Sequence, residues 1–311
     1  MAVQPKKQVA GKEASPHNLV RGLWQLLRLH TVEGLSTASI GWLALFFYAI
    51  QQQISWDALR GTFLGIFASY GATHGVFCIW NDICDRDFDG QVARTRKRPL
   101  PSGMVTLLEA IIAFIVGLLT TLAVTYTMLG ERVTWTMVPI WGLSFLYPLC
   151  KRAIWAPQAV LGLTMASCVL PPWVALGNDY DGSIALPASL FGAIFSWLVY
   201  LDLIYASQDR FDDEKAGVKS LAVFLGDNLK AGLTVLGVAQ IAFFARAATD
   251  AAAGGCLWIL GILAWTISVP WSILSLDQRD RKSGGRIFLF NAVLVLYLTA
   301  VAAVEVWMSR R

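Results

Sequence analysis

Of the 311 residues, 56% are hydrophobic and 15% are charged, against about 25% charged in an ordinary soluble domain, and the mean hydropathy is +0.56. These values exclude a water-soluble globule, a disordered chain, which would lack apolar surface to bury, and a disulfide-stapled secreted domain, for which five cysteines are too few. The net charge of +4 is not gathered on a soluble face, so it bears on membrane topology and gives no support for nucleic-acid binding.

In chain order, the first 20 residues are polar and carry Lys6, Lys7, Lys12, Glu13 and Pro16. They contain neither the apolar core of a signal peptide nor the Arg-rich, acid-free character of a mitochondrial presequence. Residues 1–25 are therefore expected to be a disordered cytosolic arm. Nine apolar segments follow, at approximately 34–54, 60–81, 105–128, 133–149, 154–176, 185–206, 229–249, 255–276 and 287–308. A hydrocarbon layer about 30 Å thick takes roughly 20 helical residues to cross, and most of the segments are that long. They are apolar all round, as lipid-embedded helices are. Pro148, Pro157, Pro171, Pro172, Pro187 and Pro270 fall inside spans or at their ends, where neighbouring helices can satisfy the freed backbone groups. The expected fold class is all-α: a polytopic membrane protein, a bundle of nine transmembrane helices with Asp-rich cytoplasmic cap loops, in one domain over 26–311.

With nine spans, the amino-terminal arm and the loops after the second, fourth, sixth and eighth spans share a face, and twenty of the 25 Lys and Arg fall on it. The positive-inside rule makes that face cytoplasmic. This predicts a multi-pass protein of the endoplasmic reticulum or another intracellular membrane rather than of the mitochondrial inner membrane. The five cysteines show no CxxC or Cys/His spacing, so zinc and redox chemistry are not expected.

Nine of the 21 acids lie in two short windows, Asp82 to Asp89 and Asp202 to Glu214, each closing an even-numbered span on the same face. Asn81, Asp82, Asp85 and Asp89 follow steps of three and four, as do Asp202, Tyr205, Asp209 and Asp213, so each set occupies one helical face. Carboxylates this close repel unless a cation sits among them. Carboxylate and amide oxygens suit Mg2+, which is normally shared with substrate phosphates rather than caged by protein. Arg94, Arg98, Lys151 and Lys219 would then bind the remaining phosphate oxygens. Acidic helix, metal, diphosphate and basic loop form one consistent set.

Asn81-Asp-Ile-Cys-Asp-Arg-Asp-Phe-Asp89 followed by Arg94-Thr-Arg-Lys-Arg-Pro-Leu-Pro-Ser-Gly103 resembles the first Asp-rich motif of the UbiA superfamily of intramembrane aromatic prenyltransferases. Asp202-Leu-Ile-Tyr-Ala-Ser-Gln-Asp-Arg-Phe-Asp-Asp-Glu-Lys-Ala-Gly-Val-Lys-Ser220 resembles the second, and Tyr147-Pro-Leu-Cys-Lys-Arg152 the segment between them. The similarity spans essentially the whole chain. It looks closest to the 4-hydroxybenzoate polyprenyltransferase branch, which includes fungal enzymes of meroterpenoid biosynthesis. The resemblance implies an enzyme that transfers an isoprenyl group, farnesyl or similar, from an allylic diphosphate to an aromatic phenolic acceptor. It also implies two Mg2+ ions bridged by the substrate diphosphate. Asn81 and Asp85 would hold one ion and Asp209 and Asp213 the other, with Asp82, Asp89 and Asp212 in support. Tyr205, Lys151, Arg94 and Lys219 would orient the diphosphate, with Arg28 as a further member. Proton loss from the ring would fall to Asp202 or to diphosphate.

Near the start of the first span, where many members have Lys-Pro or Arg-Pro-x-Gly, this chain reads Leu29-His-Thr-Val-Glu-Gly34. A larger polyketide-derived phenolic acid fits there as well as the 4-hydroxybenzoate of the ubiquinone pathway. Arg152 is a candidate for an acceptor carboxylate, or an interfacial anchor of the fifth span. His74 is expected to pack between helices. Phe67, Tyr70, Phe77 and Trp80 would line a prenyl tunnel or pack. Two rival readings use the same residues. Asp89-Gly-Gln-Val-Ala-Arg94 with Gly103 opens the signature of CDP-alcohol phosphatidyltransferases, which wants Asp where Leu107 and Ile111 stand. A transporter would place ionisable groups in mid-membrane, whereas Glu109, Arg246 and Glu305 come only near span ends.

Overall fold

A computed structural model of the chain describes residues 17–28, 30–90, 95–177, 183–211, 214 and 219–308, with only the backbone of Glu33, Lys151 and Arg152. Among the described residues nine helices are long and apolar enough to cross a membrane, one for each expected segment and in the same order. No strand occurs among them.

The chain enters through a short helix, α1 (Leu19–Leu27), whose Asn18 side chain accepts from the Arg21 backbone N–H at 3.0 Å. Residues 19–25 of the expected disordered arm are thus helical, while residues 1–16 lie outside the described residues. Nine residues are too few to register as a span, and the signal for α1 is its one-sided apolarity. Leu26 is buried with Val76, Ile79, Leu100, Val105, Ala110 and Phe114, a small core separate from the main one, while Trp24 faces outward. Arg28 follows in left-handed backbone geometry, φ 51°, and α2 (Val32–Gln52) begins at a Thr31 cap.

The second span, α3 (Trp56–Asp89), runs for 34 residues, or about 51 Å at 1.5 Å per residue. That exceeds the hydrocarbon thickness by roughly 20 Å, so its last turns carry the first acidic window beyond the apolar layer. The expected Asp-rich cap loop is therefore corrected here: Asn81 to Asp89 is helix, because no Gly or Pro interrupts it before Gly90. Hydropathy ends at Asn81, but helicity does not. The second window is divided. Asp202 and Tyr205 lie on the helix of the sixth span and Asp209 in the turn after it, while Asp212 and Asp213 fall outside the described residues.

After α4 (Pro99–Ser102) come α5 (Leu107–Leu129), opened by a Thr106–Glu109 capping box, and α6 (Glu131–Ala153). The fifth span is broken into α7 (Pro157–Ser167) and α8 (Leu170–Ala175). Pro171 and Pro172 have no N–H to offer the carbonyls one turn back. The Tyr70 hydroxyl donates to the Cys168 carbonyl at 2.6 Å and the Tyr48 hydroxyl to the Val169 carbonyl at 3.0 Å, so the break is bonded by other helices. The sixth span is α9 (Ala185–Ser207). The seventh comprises α10 (Leu221–Leu225), a 3-10 turn at Gly226–Asn228 and α11 (Leu229–Asp250). The eighth opens with a π turn at Leu257–Leu263 and continues as α12 (Ala264–Ser275), and α13 (Arg281–Met308) is the ninth.

The main core lies among α2, α9, α11, α12 and α13, with α7 packed on α9 and α3 on α5. Small residues allow the close approaches. A Cβ at Gly162 would stand 2.8 Å from Val199, and one at Gly41 2.5 Å from the Tyr70 ring. Successive spans reverse direction, so the starts of α2 and α13 meet the ends of α3, α6 and α9 at one end of the bundle.

Candidate active site

At that end a cavity of about 370 Å³ opens among α2, α3, α6, α7 and α9. Its mouth is polar. Asn81, Asp85 and Asp89 face it from α3, Asp202 and Tyr205 from α9, and Tyr147 from α6, with Arg28 and Arg98 beside them. Its body is apolar and reaches Ile40, Tyr70, Cys168 and Trp197. Tyr70 precedes Asp85 by 15 residues, so the cavity follows α3 for about 22 Å.

Asn81, Asp85 and Asp89 share the cavity because steps of four turn a helix by only about 40°. Asp82, rotated by about 100° from Asn81, is not on the cavity wall. It is 1% exposed and receives hydrogen bonds from Arg28 and from Arg98, the latter at 3.3 Å. Arg98 also donates to Asp89 at 2.7 Å. Two arginines from separate segments are thereby gathered at the mouth, and α1 and α4 bring them there through the small core beneath. The sequence grouped Asp82 with the metal ligands, whereas its carboxylate is engaged by guanidinium.

Several expected site residues lie elsewhere. Asp209 sits in the turn beyond α9 and does not line the cavity. Its neighbour Arg210 is buried and ties that turn to the Gly226 carbonyl, to Asp227 at 3.0 Å and to Gln278 at 3.2 Å. The Lys219 ammonium lies 5.6 Å from the centre of the Trp155 ring. Arg94, Asp212 and Asp213 fall outside the described residues, as do the side chains of Lys151 and Arg152. Among the described residues no three His, Cys, Asp or Glu side chains gather closely enough to hold a metal ion by themselves.

Of the aromatic candidates, Tyr70 and Phe77 line the cavity. Phe67 stacks on Trp42, and Trp80 stacks on Phe114 and Phe145. His74, expected to pack, is a wall residue, and so are Ser36, Thr37 and Ser144, which sequence reasoning missed. Lone hydroxyls in apolar runs carry no signal until the helices that face them are known.

The charges that a transporter would need in mid-membrane serve helix ends instead. Glu109 closes the α5 capping box, Arg246 pairs with Asp250 at 2.8 Å, and Glu305 accepts from the Gly254 and Leu257 N–H groups at 2.6 and 3.0 Å. Leu107 and Ile111, where the phosphatidyltransferase signature requires Asp, are exposed on the outer side of α5.

Residues 35–295 match the UbiA prenyltransferase family. The chain is 75% identical over 311 residues to the polyprenyl transferase ntnF of a Nectria species, covering 100% of both chains. Among solved structures, the apo form of a UbiA homologue from Aeropyrum pernix K1 superposes with a TM-score of 0.72 at 21% identity, covering 86% of this chain and 97% of that one. A UbiA homologue from Archaeoglobus fulgidus bound to GPP and Mg2+ gives 0.65 at 18% identity, covering 91% and 99%. At these identities the structural likeness is one of fold.

Proposed function

The chain belongs to the UbiA prenyltransferase family, integral multi-pass membrane enzymes, and from that premise we propose that it moves an isoprenyl group, farnesyl or similar, from an allylic diphosphate to a ring carbon of a phenolic acceptor. We take the acceptor to be a polyketide-derived phenolic acid of meroterpenoid biosynthesis. One observation carries this reading: a single cavity with an acidic and cationic mouth, built jointly by α3 and α9, and an apolar body. An allylic diphosphate is divided in the same way, into a charged head and a greasy tail.

The donor set at the mouth fits Mg2+. Asn81 and Asp85 present oxygens one turn apart, Asp202 faces them from α9, and guanidinium groups stand alongside. That is an incomplete oxygen cage of the kind Mg2+ shares with phosphate. In this reading Asn81 and Asp85 would hold one ion, and Asp209 and Asp213, outside the cavity lining, would have to supply a second; a UbiA homologue from Archaeoglobus fulgidus is bound to GPP and Mg2+. When bound, Mg2+ supplies positive charge that stabilises diphosphate as it leaves.

The chain's own groups do the rest. Arg28 and Arg98, held by Asp82 and Asp89, bind phosphate oxygens with Arg94, Lys151 and Lys219. The Tyr205 and Tyr147 hydroxyls donate to the same head group. The C–O bond to diphosphate breaks with its electron pair retained on the phosphate, and the ring carbon supplies the pair for the new C–C bond. The ring proton has two acceptors at that end, Asp202 and the departing diphosphate. Apolar walls keep water from capturing the allylic cation. In this reading the mouth opens on the cytosolic face of an intracellular membrane, the orientation that the positive-inside count favours.

The test is product mass. Membranes carrying the chain, given a panel of prenyl diphosphates and phenolic acids, are expected to yield prenylated phenols. Chelation of Mg2+ or Asp85→Asn should cut turnover by about 100-fold or more, with the protein still membrane-inserted. Undiminished product under both conditions would overturn the mechanism.

A further inference from the structure

The cavity has two unlike walls. Below the Asp202 and Tyr205 mouth, the one from α7 and α9 presents Leu161, Met165, Leu198 and Leu201 with Thr164, whose hydroxyl is turned back onto the Val160 carbonyl at 2.8 Å. The wall from α2, α3 and α6 carries Ser36, Thr37, His74 and Ser144. Contacts between helices set these at similar depth: Thr37 Oγ1 lies 3.3 Å from His74 Nδ1, and Trp141 on α6 donates to Thr73 Oγ1 at 3.2 Å, next to His74. The polar groups are concentrated on one side of a space that otherwise suits a hydrocarbon tail.

His74 lies seven residues before Asn81 on α3, about 10 Å deeper along the axis. A donor anchored by its diphosphate at Asn81 and Asp85 brings its allylic carbon down toward that depth. Each imidazole nitrogen stands near a group of the wall. Nδ1 faces a hydroxyl, and Nε2 lies 3.5 Å from the Cys78 sulfur. A neutral imidazole has one donor and one acceptor nitrogen, and a thiol is a weak partner for either. In the tautomer that gives Nδ1–H to Thr37, Nε2 is an acceptor, and a phenolic O–H is a stronger donor to it than a thiol.

We propose that His74, oriented by Thr37, receives the phenolic hydroxyl of the acceptor on Nε2, and that the α2–α3–α6 wall is the acceptor subsite while the α7–α9 wall carries the isoprenyl tail. This rests on the phenol-prenylating reading above and adds a specificity-determining residue to it. The hydrogen bond draws the hydroxyl proton toward nitrogen and pushes electron density from oxygen into the ring. The carbons ortho and para to the hydroxyl become the stronger nucleophiles, and the ring is fixed with one of them toward the allylic carbon. A methyl ether of the same acceptor cannot donate, and leaves the imidazole acceptor without its phenol.

The experiment uses membranes containing the full chain and compares a phenolic acid with its O-methyl ether as acceptors. Wild type is expected to prefer the phenol by about tenfold in kcat/KM, the worth of a neutral hydrogen bond in a desolvated site. His74→Phe should lose most of that preference while the donor KM stays within about twofold of wild type. His74→Gln, whose amide oxygen reaches toward the place of Nε2, should restore part of it. Thr37→Val, which removes the orienting hydroxyl with little change in volume, should move the preference in the same direction as His74→Phe, and it decides the matter if the phenylalanine variant fails to insert. A preference kept in these variants, or donor and acceptor KM rising together, overturns the subsite. Wild-type membranes that prenylate no phenol would instead sink the functional reading on which it stands.

Discussion

Asp82 and Asp85 stand three residues apart on α3 and are set to different tasks by the direction in which each points. Asp85 faces the cavity. Asp82 is buried between Arg28 and Arg98, which are themselves about a quarter exposed at the mouth. Removing one partner from a buried ion pair leaves uncompensated charge, at a cost of about 3 kcal/mol or more. Asp82→Asn is therefore expected to lower stability by about 3 kcal/mol and to raise the donor KM, because the two guanidiniums proposed to bind phosphate lose their common anchor. Asp85→Asn should leave stability close to wild type and act on kcat. Thermal inactivation in detergent, read beside donor KM and kcat, separates the two; equal stability in both variants would remove the anchoring role from Asp82.

The elements were legible in proportion to how far their signal is local. Nine apolar runs marked nine spans because each run must match the bilayer by itself. Helix α1 was not legible, since its apolar side makes sense only against Val105 and Leu100. The break in the fifth span was foreshadowed by Pro171 and Pro172, yet what satisfies it, the hydroxyls of Tyr70 and Tyr48, comes from helices about 100 residues away. In the same way, motif spacing brought Asn81, Asp85 and Asp202 to one site but could not tell Asp82 from its neighbours or find Thr37 beside His74. Tyr70 tests the element scale directly. Its hydroxyl serves a carbonyl whose helical donor would have been Pro172. Tyr70→Phe is expected to cost about 1–3 kcal/mol, the price of an unsatisfied buried carbonyl, while leaving the metal and diphosphate groups untouched. Earlier heat-induced loss of monodisperse protein with unchanged kcat below that temperature is the expected result; unchanged heat resistance would show that the carbonyl finds another donor.

At the scale of the whole molecule the cavity joins two regions with opposite demands. Its mouth is built from chain segments that must hold charges in place, and its floor is part of the main core. Trp197 forms part of the wall where that core meets the cavity: it is 1% exposed, sits eight residues before Tyr205 on α9, and packs against Trp265, which in turn meets Phe244. Eight residues are about 12 Å of helix, so the indole stands beside the path of a bound tail, with Tyr70 and Cys168 beyond it. The room along that path is then limited by one large side chain whose removal loosens the core that α9 shares with α11 and α12. Full truncation to Ala would cost about 3–5 kcal/mol, which makes Trp197→Leu the better probe because it widens the path and keeps an apolar filler. In a competition between farnesyl and geranylgeranyl diphosphates, this variant is expected to shift product mass toward the longer chain by about tenfold, on the order of what extra methylenes gain when a pocket can bury them. The acceptor KM should not move, because the phenol lies on the other wall. An unchanged product ratio would place the end of the tail away from Trp197 and leave the depth of the cavity to Tyr70 and Cys168.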